Sequence, residues 1–450
     1  MGLKEYPIRK NSLFNLLHNF RLSIFLISWV CAFLSIINDQ NIFVDFGVIC
    51  FGLFIFLNLF FLTLQSYFII FILIVLSFFL FHSLPSFNEF FEAGRFVLIF
   101  AGLIPTMNLV KSAALKINSI KETQKSLSLL SSKNSSSGFQ ITGHLSGSIM
   151  NTGVFPMLSA SIPTSSTLDY RKKVAEASIR GMASSVVWSP FFVAFAVGQV
   201  YIDNFSSWMG LAVGLLIGSL FSLISVFLLN RDLNYNLFKA SLVCLKPIFL
   251  YLLAIMSIIV IFALIFNLTA LSAVILIMPI LIVLYFLPNL KELKFIFANT
   301  VLTMRKNIDD IVIISLAMMI GFLITNSDNN NLSLNIFDIQ NTPEFLIFII
   351  IPLTMCFFSI ICIHPVISST LLLTVFSSNI FEINHALLMQ AHLIGWCTGT
   401  LSSVASLTVI TCSNLFNVPS LKIAFGENLF VVILFSIFGG GILGILNIIF

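Results

Sequence analysis

The chain has 450 residues, of which 58% are hydrophobic and 9% are charged, and its net charge is +4. Soluble domains carry about 25% charged residues, so this composition excludes a soluble globular protein and predicts one that crosses a membrane several times. The small net charge gives no reason to expect a nucleic-acid partner. The abundance of Phe, Ile, Asn and Lys is typical of AT-rich bacterial genomes, which predicts a bacterial inner membrane.

The first segment is basic and leads into an apolar run that has no small-residue cleavage site (residues 1–37). A removed signal peptide would end at such a site, so we expect a cytoplasmic N-terminus followed by a first span. The seven cysteines show no C-x-x-C spacing and lie in or near apolar segments. We therefore expect no disulfide framework, no metal site and no cofactor.

Apolar segments of about 17–25 residues are long enough to cross a bilayer. Eleven such segments are predicted to span the membrane, at 21–37, 41–64, 67–84, 95–113, 174–200, 207–229, 246–266, 268–287, 309–325, 386–411 and 427–449. Two further segments, 139–162 and 344–380, are apolar but interrupted by small polar residues and Pro. Lipid cannot satisfy the backbone groups that such breaks expose, so each is predicted to be a re-entrant hairpin that lines a cavity.

The distribution of Lys and Arg agrees with this arrangement. With the N-terminus inside, the expected cytoplasmic loops contain Lys or Arg, whereas the expected outer loops contain Asp or Glu and neither Lys nor Arg. Treating 344–380 as a single spanning helix would move the last basic loop, which contains Lys422, to the outer side. The charges therefore favour the hairpin.

Three residues of the first half recur in the second half at one offset, 395 − 181 = 214 residues. The identical pairs are Ala177 and Ala391, Gly181 and Gly395, and Ser189 and Ser403. The order of elements also repeats, since each half has a span, a hairpin and then a span interrupted by Ser, Thr and Gly. The loop charges orient the two halves oppositely. We therefore predict an all-α polytopic membrane protein with an inverted-topology repeat.

The predicted organisation has four parts. They are a cytoplasmic N-terminus with the first span (1–40), a first repeat (41–229), a cytoplasmic linker (230–245) and a second repeat (246–450). Inverted repeats with discontinuous helices are typical of secondary transporters that bind substrate near the membrane midplane.

This architecture resembles the ion-transporter superfamily, especially the divalent-anion:sodium symporters. Hairpin tips in that family carry Ser-Asn-Thr, and the first hairpin here reads MNT at 150–152, followed by Pro156. The second hairpin departs from the motif, because it reads IHP at 363–365 and SST at 368–370. The resemblance implies alternating access and sodium coupling, and the departure leaves a dicarboxylate substrate in question.

Small polar residues at hairpin tips can replace the hydration that an anion loses on binding, together with the N–H groups of helix N-termini. Lys and Arg are not expected at this depth. The predicted substrate contacts are Asn151, Thr152, Ser368, Ser369 and Thr370. The alternative is that these residues only allow helices to pack closely.

Sodium prefers hydroxyl and carbonyl oxygens, which the interrupted spans supply. The predicted ion-binding residues are Ser184, Ser185, Ser189, Thr398, Gly399, Thr400, Ser402 and Ser403. Gly399 is expected to ease a tight turn through a positive φ. The alternative is an intact helix in which each hydroxyl bonds back to the i−4 carbonyl.

Ionisable residues are scarce in the apolar segments. His364 and His392 lie in or beside the interrupted regions and are candidates for proton coupling, with a neutral packing role as the alternative. Glu176 and Arg180 are four residues apart and are expected to pair across one helical turn.

The sequence therefore predicts a secondary active transporter for a small anionic organic solute, coupled to sodium. A proton-coupled transporter, an exporter of another solute and an ion channel remain open. An enzyme is disfavoured, because the sequence has no HExxH, GxSxG or phosphate-loop motif. The expected partners are the substrate and the lipid bilayer, and a homodimer is kept open.

Overall fold

The computed structural model describes residues 12–38, 41–80, 84–130, 132–163, 165–202, 207–230, 235–326, 342–377 and 381–449. These residues contain helices and no β-strand, which confirms the all-α prediction. The α-helices are α1 (Ser12–Ile37), α2 (Asn41–Asn58), α3 (Leu64–Leu80), α4 (Phe87–Ala114), α5 (Asn118–Ser128), α6 (Ser132–Met150), α7 (Val154–Ser159), α8 (Leu168–Val186), α9 (Val193–Tyr201), α10 (Ser207–Asn230), α11 (Tyr235–Ile265), α12 (Ala270–Phe286), α13 (Leu290–Lys306), α14 (Ile308–Asn326), α15 (Glu344–Ile360), α16 (Pro365–Phe376), α17 (His385–Ser402), α18 (Leu407–Phe416), α19 (Ser420–Ala424) and α20 (Glu427–Ile449).

Several of these helices are long and apolar enough to cross a membrane. Within the described ranges they are Asn19–Ile37, Asn41–Phe61, Phe87–Ala114, Trp208–Leu229, Lys239–Ile265 and Glu427–Ile449. Two bent pairs, α13 with α14 (63°) and α17 with α18 (42°), raise the number from six to eight if each is one span. Large apolar side chains such as Phe71, Leu250 and Phe438 project outward from the bundle. Lipid rather than water suits such a surface, so the chain is a helical membrane protein.

The predicted segments coincide with helices, with two refinements. Two predicted spans are broken: residues 187–192 separate α8 from α9, and residues 403–406 separate α17 from α18. Polar stretches that were expected to be loops contain the amphipathic helices α5 and α13, and α11 begins inside the predicted linker, at Tyr235. Residues 1–11, the loop 327–341 and the end of the second hairpin (378–380) lie outside the described residues.

Each predicted hairpin consists of two helices joined by a short turn. In the first hairpin α6 and α7 are joined by the 3₁₀ turn Asn151–Gly153, and in the second α15 and α16 are joined by residues 361–364. The first arm of each hairpin packs along the broken helix that follows it, α6 on α8 and α15 on α17.

Glycines on the broken helices make this close packing possible. A Cβ atom on Gly181 would overlap the carbonyl oxygen of Gln140 in α6. A Cβ atom on Gly395 would lie 3.1 Å from Pro352 Cα and 2.5 Å from Met355 Sδ in α15. Gly181 and Gly395 thus each allow a broken helix to approach the first arm of a hairpin closely.

The helices that follow the two breaks pack on the opposite half of the chain. Helix α9 contacts α16 and α17, and α18 contacts α7 and α8. Helices α4 and α14 also pack against each other, and they run antiparallel. Phe96 near the start of α4 meets Phe322 near the end of α14, with ring centroids 4.5 Å apart. The two halves are therefore interleaved rather than separate bundles.

The glycine contact predicts a specific loss of stability. Gly181→Ala forces a methyl group into the Gln140 backbone, and overpacking of this kind costs about 1–3 kcal/mol. Gly52→Ala in α2 is a matched control, because no atom lies within 4 Å of its added Cβ. We expect thermal unfolding in detergent to show a lower melting temperature for Gly181→Ala and no decrease for Gly52→Ala. Equal melting temperatures would contradict the assigned contact.

Candidate functional site

The first hairpin tip is a short 3₁₀ turn with a left-handed residue. Asn151 has a φ of 52°, a conformation that Asn tolerates better than most residues. Its Oδ1 accepts a hydrogen bond from the Thr152 N–H at 2.6 Å. Both residues are half-buried, so the tip is neither packed in the core nor fully exposed. The Asn151 side chain therefore shapes the tip in addition to any contact with substrate.

A lysine reaches this tip, where no Lys or Arg was expected. Lys111 Nζ, in the last turns of α4, donates to Thr152 Oγ1 at 3.0 Å. A Cβ atom on Gly153 would lie 3.0 Å from Lys111 Cγ, so the lysine stem lies along the turn. Lys111 also interacts electrostatically with Asp310 in the first turn of α14. An ionisable residue inside an apolar span was the sequence signal for this site.

The second hairpin tip has a different construction. Cys362 has a φ of 67°, and the Ile363 N–H donates to the Phe358 carbonyl at 2.9 Å. This is a Schellman ending of α15 with a cysteine where glycine is usual. Among the seven cysteines Cys362 alone is exposed. His364 then caps α16, since its Nδ1 accepts from the Val366 N–H at 3.2 Å.

Ser368, Ser369 and Thr370 do not form the tip, so that part of the prediction is wrong. Pro365 occupies the first position of α16, where its missing N–H costs nothing, and it therefore starts a helix rather than interrupting one. The three residues lie in the first turns of this helix and are buried.

Their hydroxyl groups contact neighbouring helices or their own helix. Ser368 donates to the Pro365 carbonyl at 3.2 Å, Ser369 contacts His392 Nδ1 at 3.0 Å, and Thr370 lies against Met318 of α14. These contacts hold α16 in place.

The two candidate histidines have partners that the neutral ring satisfies. His392 Nε2 donates to the Ala194 carbonyl at 2.8 Å, and the Ser369 hydroxyl can donate to Nδ1. His392 thereby joins α17 to α9 and α16. His364 needs an unprotonated Nδ1 to cap α16, and the positive end of a helix disfavours a second positive charge. Proton coupling through either residue stays a prediction.

Several of the predicted ion-binding hydroxyls bond back to their own helix at the carbonyl three residues earlier, and Thr398 also donates to the i−4 carbonyl of Ile394. The bonds are Ser184 to Gly181 O at 2.7 Å, Ser185 to Met182 O at 2.6 Å, Thr398 to Gly395 O at 3.1 Å and Thr400 to Cys397 O at 3.0 Å. Gly399 is helical and has no positive φ, so its expected role in a tight turn is wrong. Its missing side chain instead admits Ser359, whose Oγ would lie 2.6 Å from an added Cβ.

The remaining predicted residues lie at the two breaks. Ser189 donates to the Ser148 carbonyl in the first hairpin and accepts from the Phe191 N–H at 3.2 Å. Ser402 donates to the Cys356 carbonyl in the second hairpin at 3.5 Å, and Ser403 ends α17 in an extended conformation. In each half a serine thus connects the break to the first arm of its hairpin.

Ser406 belongs to the second break as well, although the sequence analysis did not single it out. It accepts from the Val409 N–H at 3.1 Å as the N-cap of α18 and donates to the Thr400 carbonyl at 2.8 Å. A serine directly before an apolar run was the signal for this cap.

Glu176 and Arg180 do not form the predicted direct ion pair. Arg180 is buried and donates from Nε to Gln140 Oε1 at 3.1 Å and from Nη1 to Asn428 Oδ1 at 2.7 Å. Glu176 has Lys172 Nζ at 3.8 Å instead. Arg180 therefore joins α8 to the first hairpin and to α20 through two neutral acceptors.

No protein-family model matches the chain, and no curated protein matches it. The class that the fold and the site define is a helical membrane protein. Its buried polar groups are concentrated on two hairpins and on the two broken helices packed against them.

The left-handed cysteine predicts a stabilising substitution. Cys362→Gly relieves a conformation that costs an L-residue about 1–2 kcal/mol, whereas Cys50→Gly places the same change inside α2, where Gly costs about 1 kcal/mol. We expect the melting temperature in detergent to rise for Cys362→Gly and to fall for Cys50→Gly. A decrease for both variants would show that the second tip is not in the left-handed conformation.

Proposed function

We propose that this protein is a secondary transporter that moves a small organic anion across a bacterial inner membrane by alternating access. The proposal includes eleven spans, two re-entrant hairpins, a cytoplasmic N-terminus and an inverted repeat. The main support is a set of residue contacts that occurs twice. Adding 214 to each residue number of the first half gives the residues that make the same contacts in the second half.

Contacts within each half support the repeat. Helix α9 begins at Val193 and α18 at Leu407, and 407 − 193 = 214. The bond from Ser184 to the Gly181 carbonyl has its counterpart, at the same offset, in the bond from Thr398 to the Gly395 carbonyl. Both bonds lie on the broken helix beside the hairpin.

Contacts between the halves support it further. Cys412 of α18 donates to the Ala175 carbonyl of α8 at 3.6 Å. The residues at the same offset also meet, because a Cβ atom on Gly198 of α9 would overlap Met389 Sδ of α17. Cys412 corresponds to Gly198, since 412 − 198 = 214, and Met389 corresponds to Ala175, since 389 − 175 = 214. The contact between Cys412 and Ala175 therefore has its counterpart in the contact between Gly198 and Met389. Two repeats related by a two-fold axis must make each contact between them twice, once in each direction. Two unrelated helix bundles have no reason to do so.

The orientation of α4 and α14 supports an inverted rather than a parallel repeat. The offset relates these two helices, and they pack antiparallel. Repeats related by an axis in the membrane plane place corresponding helices in opposite directions. Discontinuous helices at such a repeat interface are where secondary transporters bind substrate and coupling ion.

Lys111 favours an anionic substrate. It places a positive charge on the first tip, beside the Thr152 hydroxyl, and both residues are half-buried. A lysine ammonium is a flexible point charge that can exchange one acceptor for another. Asp310 interacts electrostatically with Lys111, and a carboxylate or similar anionic group of a substrate can do the same. The coupling ion that the family resemblance implies is sodium, and a proton is the alternative that the sequence leaves open.

Removing the Lys111 charge tests the substrate site. We expect Lys111→Met to weaken binding of an anionic substrate roughly ten- to a hundredfold, because a hydrogen bond to a charged group contributes about 1.5–3 kcal/mol. Lys125→Met on the exposed face of α5 is the control and should bind normally. Thermal-shift titrations with succinate, citrate and sulfate, with and without sodium, identify the probe. Uptake into proteoliposomes then gives its apparent affinity, and an unchanged value for Lys111→Met would exclude this site.

The side on which two loops lie tests the first hairpin. Lys121 of α5 and Lys173 of α8 are exposed and flank α6 and α7. In a Cys362→Gly background, Lys121→Cys and Lys173→Cys should both react with an impermeant thiol reagent from the same side of the membrane. Labelling from opposite sides would mean that residues 132–159 span the bilayer, and the inverted repeat would then fail.

A further inference from the structure

Two buried oxygen atoms lack hydrogen-bond partners at equivalent places in the proposed repeat. They are Oε1 of Glu176 on α8 and Oε1 of Gln390 on α17, in residues that are 2% and 0% exposed, and the charged group nearest Glu176 Oε1 is Lys172 Nζ at 3.8 Å, beyond hydrogen-bond distance. The offset is again 390 − 176 = 214. A buried polar atom without a hydrogen bond costs about 1–3 kcal/mol, so two of them at positions 214 residues apart call for an explanation.

Gln390 shows how this position is used in the second half. Its Nε2 donates to the carbonyl of Gly210 at 2.6 Å, in the first turn of α10. A Cβ atom on Gly214, one turn later, would lie 2.8 Å from Gln390 Oε1. The amide therefore lies directly against the beginning of the last helix of the first half and supplies a hydrogen to its backbone.

Glu176 occupies the corresponding place at the beginning of α20. A Cβ atom on Gly426 would overlap Glu176 Oε1 and would lie 2.6 Å from the carbonyl oxygen of Lys422. The carboxyl oxygen and this carbonyl oxygen thus both lie close to the position of that added Cβ atom, and both are acceptors. In the second half the Gln390 amide supplies a hydrogen to the Gly210 carbonyl, whereas a carboxylate has no hydrogen to offer.

We propose that Glu176 is a proton-binding site, and that its neutral carboxyl group donates to the Lys422 carbonyl as Gln390 donates to Gly210. In this step a proton from water binds a carboxylate oxygen, and the reverse step returns it. Taken with the proposed transport function, on which this part rests, Glu176 carries the coupling proton.

The charged and titratable groups around Glu176 come from three elements. Lys172 and Arg180 lie on its own helix, Glu427 on α20 and Cys412 on α18. Arg180 is already bonded to Gln140 and Asn428, so it does not need the Glu176 charge as a direct partner.

Lys172 and Arg180 are the positive groups near this carboxyl group, and Glu427 is the negative one. The backbone N–H of Glu427 also faces the carboxyl group. The Lys172 side chain is 34% exposed, so it marks a route between Glu176 and water.

The position of Glu176 connects its charge to the second break. Cys412 of α18 bonds to the carbonyl of Ala175, the residue next to Glu176. Helix α18 begins directly after the break at residues 403–406, where Ser402 and Ser406 hold the ends. A change of charge at Glu176 therefore acts on α18, whose first residue follows the break. Discontinuous helices of this kind move in alternating access.

Infrared spectroscopy of the purified full chain tests the proton site without any transport assay. We expect the carbonyl band of a protonated carboxyl group at neutral pH, lost in Glu176→Gln and retained in Glu427→Gln, whose carboxyl group belongs to an exposed residue. Glu176→Gln should also fold with an unchanged or higher melting temperature, because an amide reproduces the neutral form. A band that persists in Glu176→Gln, a band seen only below the ordinary pKa of Glu near 4.3, or a variant that fails to fold would overturn the site.

Transport separates the coupling role from the site itself. With succinate or citrate as the probe, an inward proton gradient should drive accumulation in proteoliposomes. Glu176→Gln should retain exchange while losing at least tenfold of the gradient-driven accumulation, and Glu427→Gln should behave as wild type. Accumulation driven by sodium alone and unaffected by Glu176→Gln would overturn the coupling role. A wild-type protein that has the infrared band but moves neither probe contradicts the proposed transport of these anions and leaves the proton site standing.

Discussion

The need to satisfy backbone hydrogen bonds away from water governs this structure. Each break in a membrane helix exposes N–H and C=O groups that lipid cannot partner. Here both breaks lie against protein, and serine side chains bridge them to the neighbouring hairpins. This arrangement requires helix and hairpin backbones to approach closely, which Gly181 and Gly395 permit. The small residues thus allow discontinuous helices to exist in this fold.

Much of the fold follows from the sequence, because the length and composition of a span reflect the thickness of the bilayer. The segments predicted as spans and hairpins are helical in the described residues, and Gly181 and Gly395 each lie against the first arm of a hairpin. Helices α5 and α13 were not predicted, because the spans were located by the length of apolar segments. Both helices contain many polar residues, so their sequences were interpreted as loops.

The candidate site was less predictable, because its partners lie far apart in the chain. Arg180 bonds to residues 40 and 248 positions away, although a glutamate stands one turn from it. The second tip was misplaced because Pro365 begins a helix, and its left-handed residue is a cysteine rather than the usual Gly or Asn. Spacing along a helix cannot reveal a neighbour that only tertiary packing supplies.

The exposure of Cys362 has a practical consequence. Six of the seven thiols are buried or partly covered, and the remaining one stands on the turn of the second hairpin. A fluorophore or spin label directed at thiols will therefore attach mainly at a single native position. The wild-type chain thus carries its own reporter on one hairpin, and distance measurements to a second introduced label do not require a cysteine-free background.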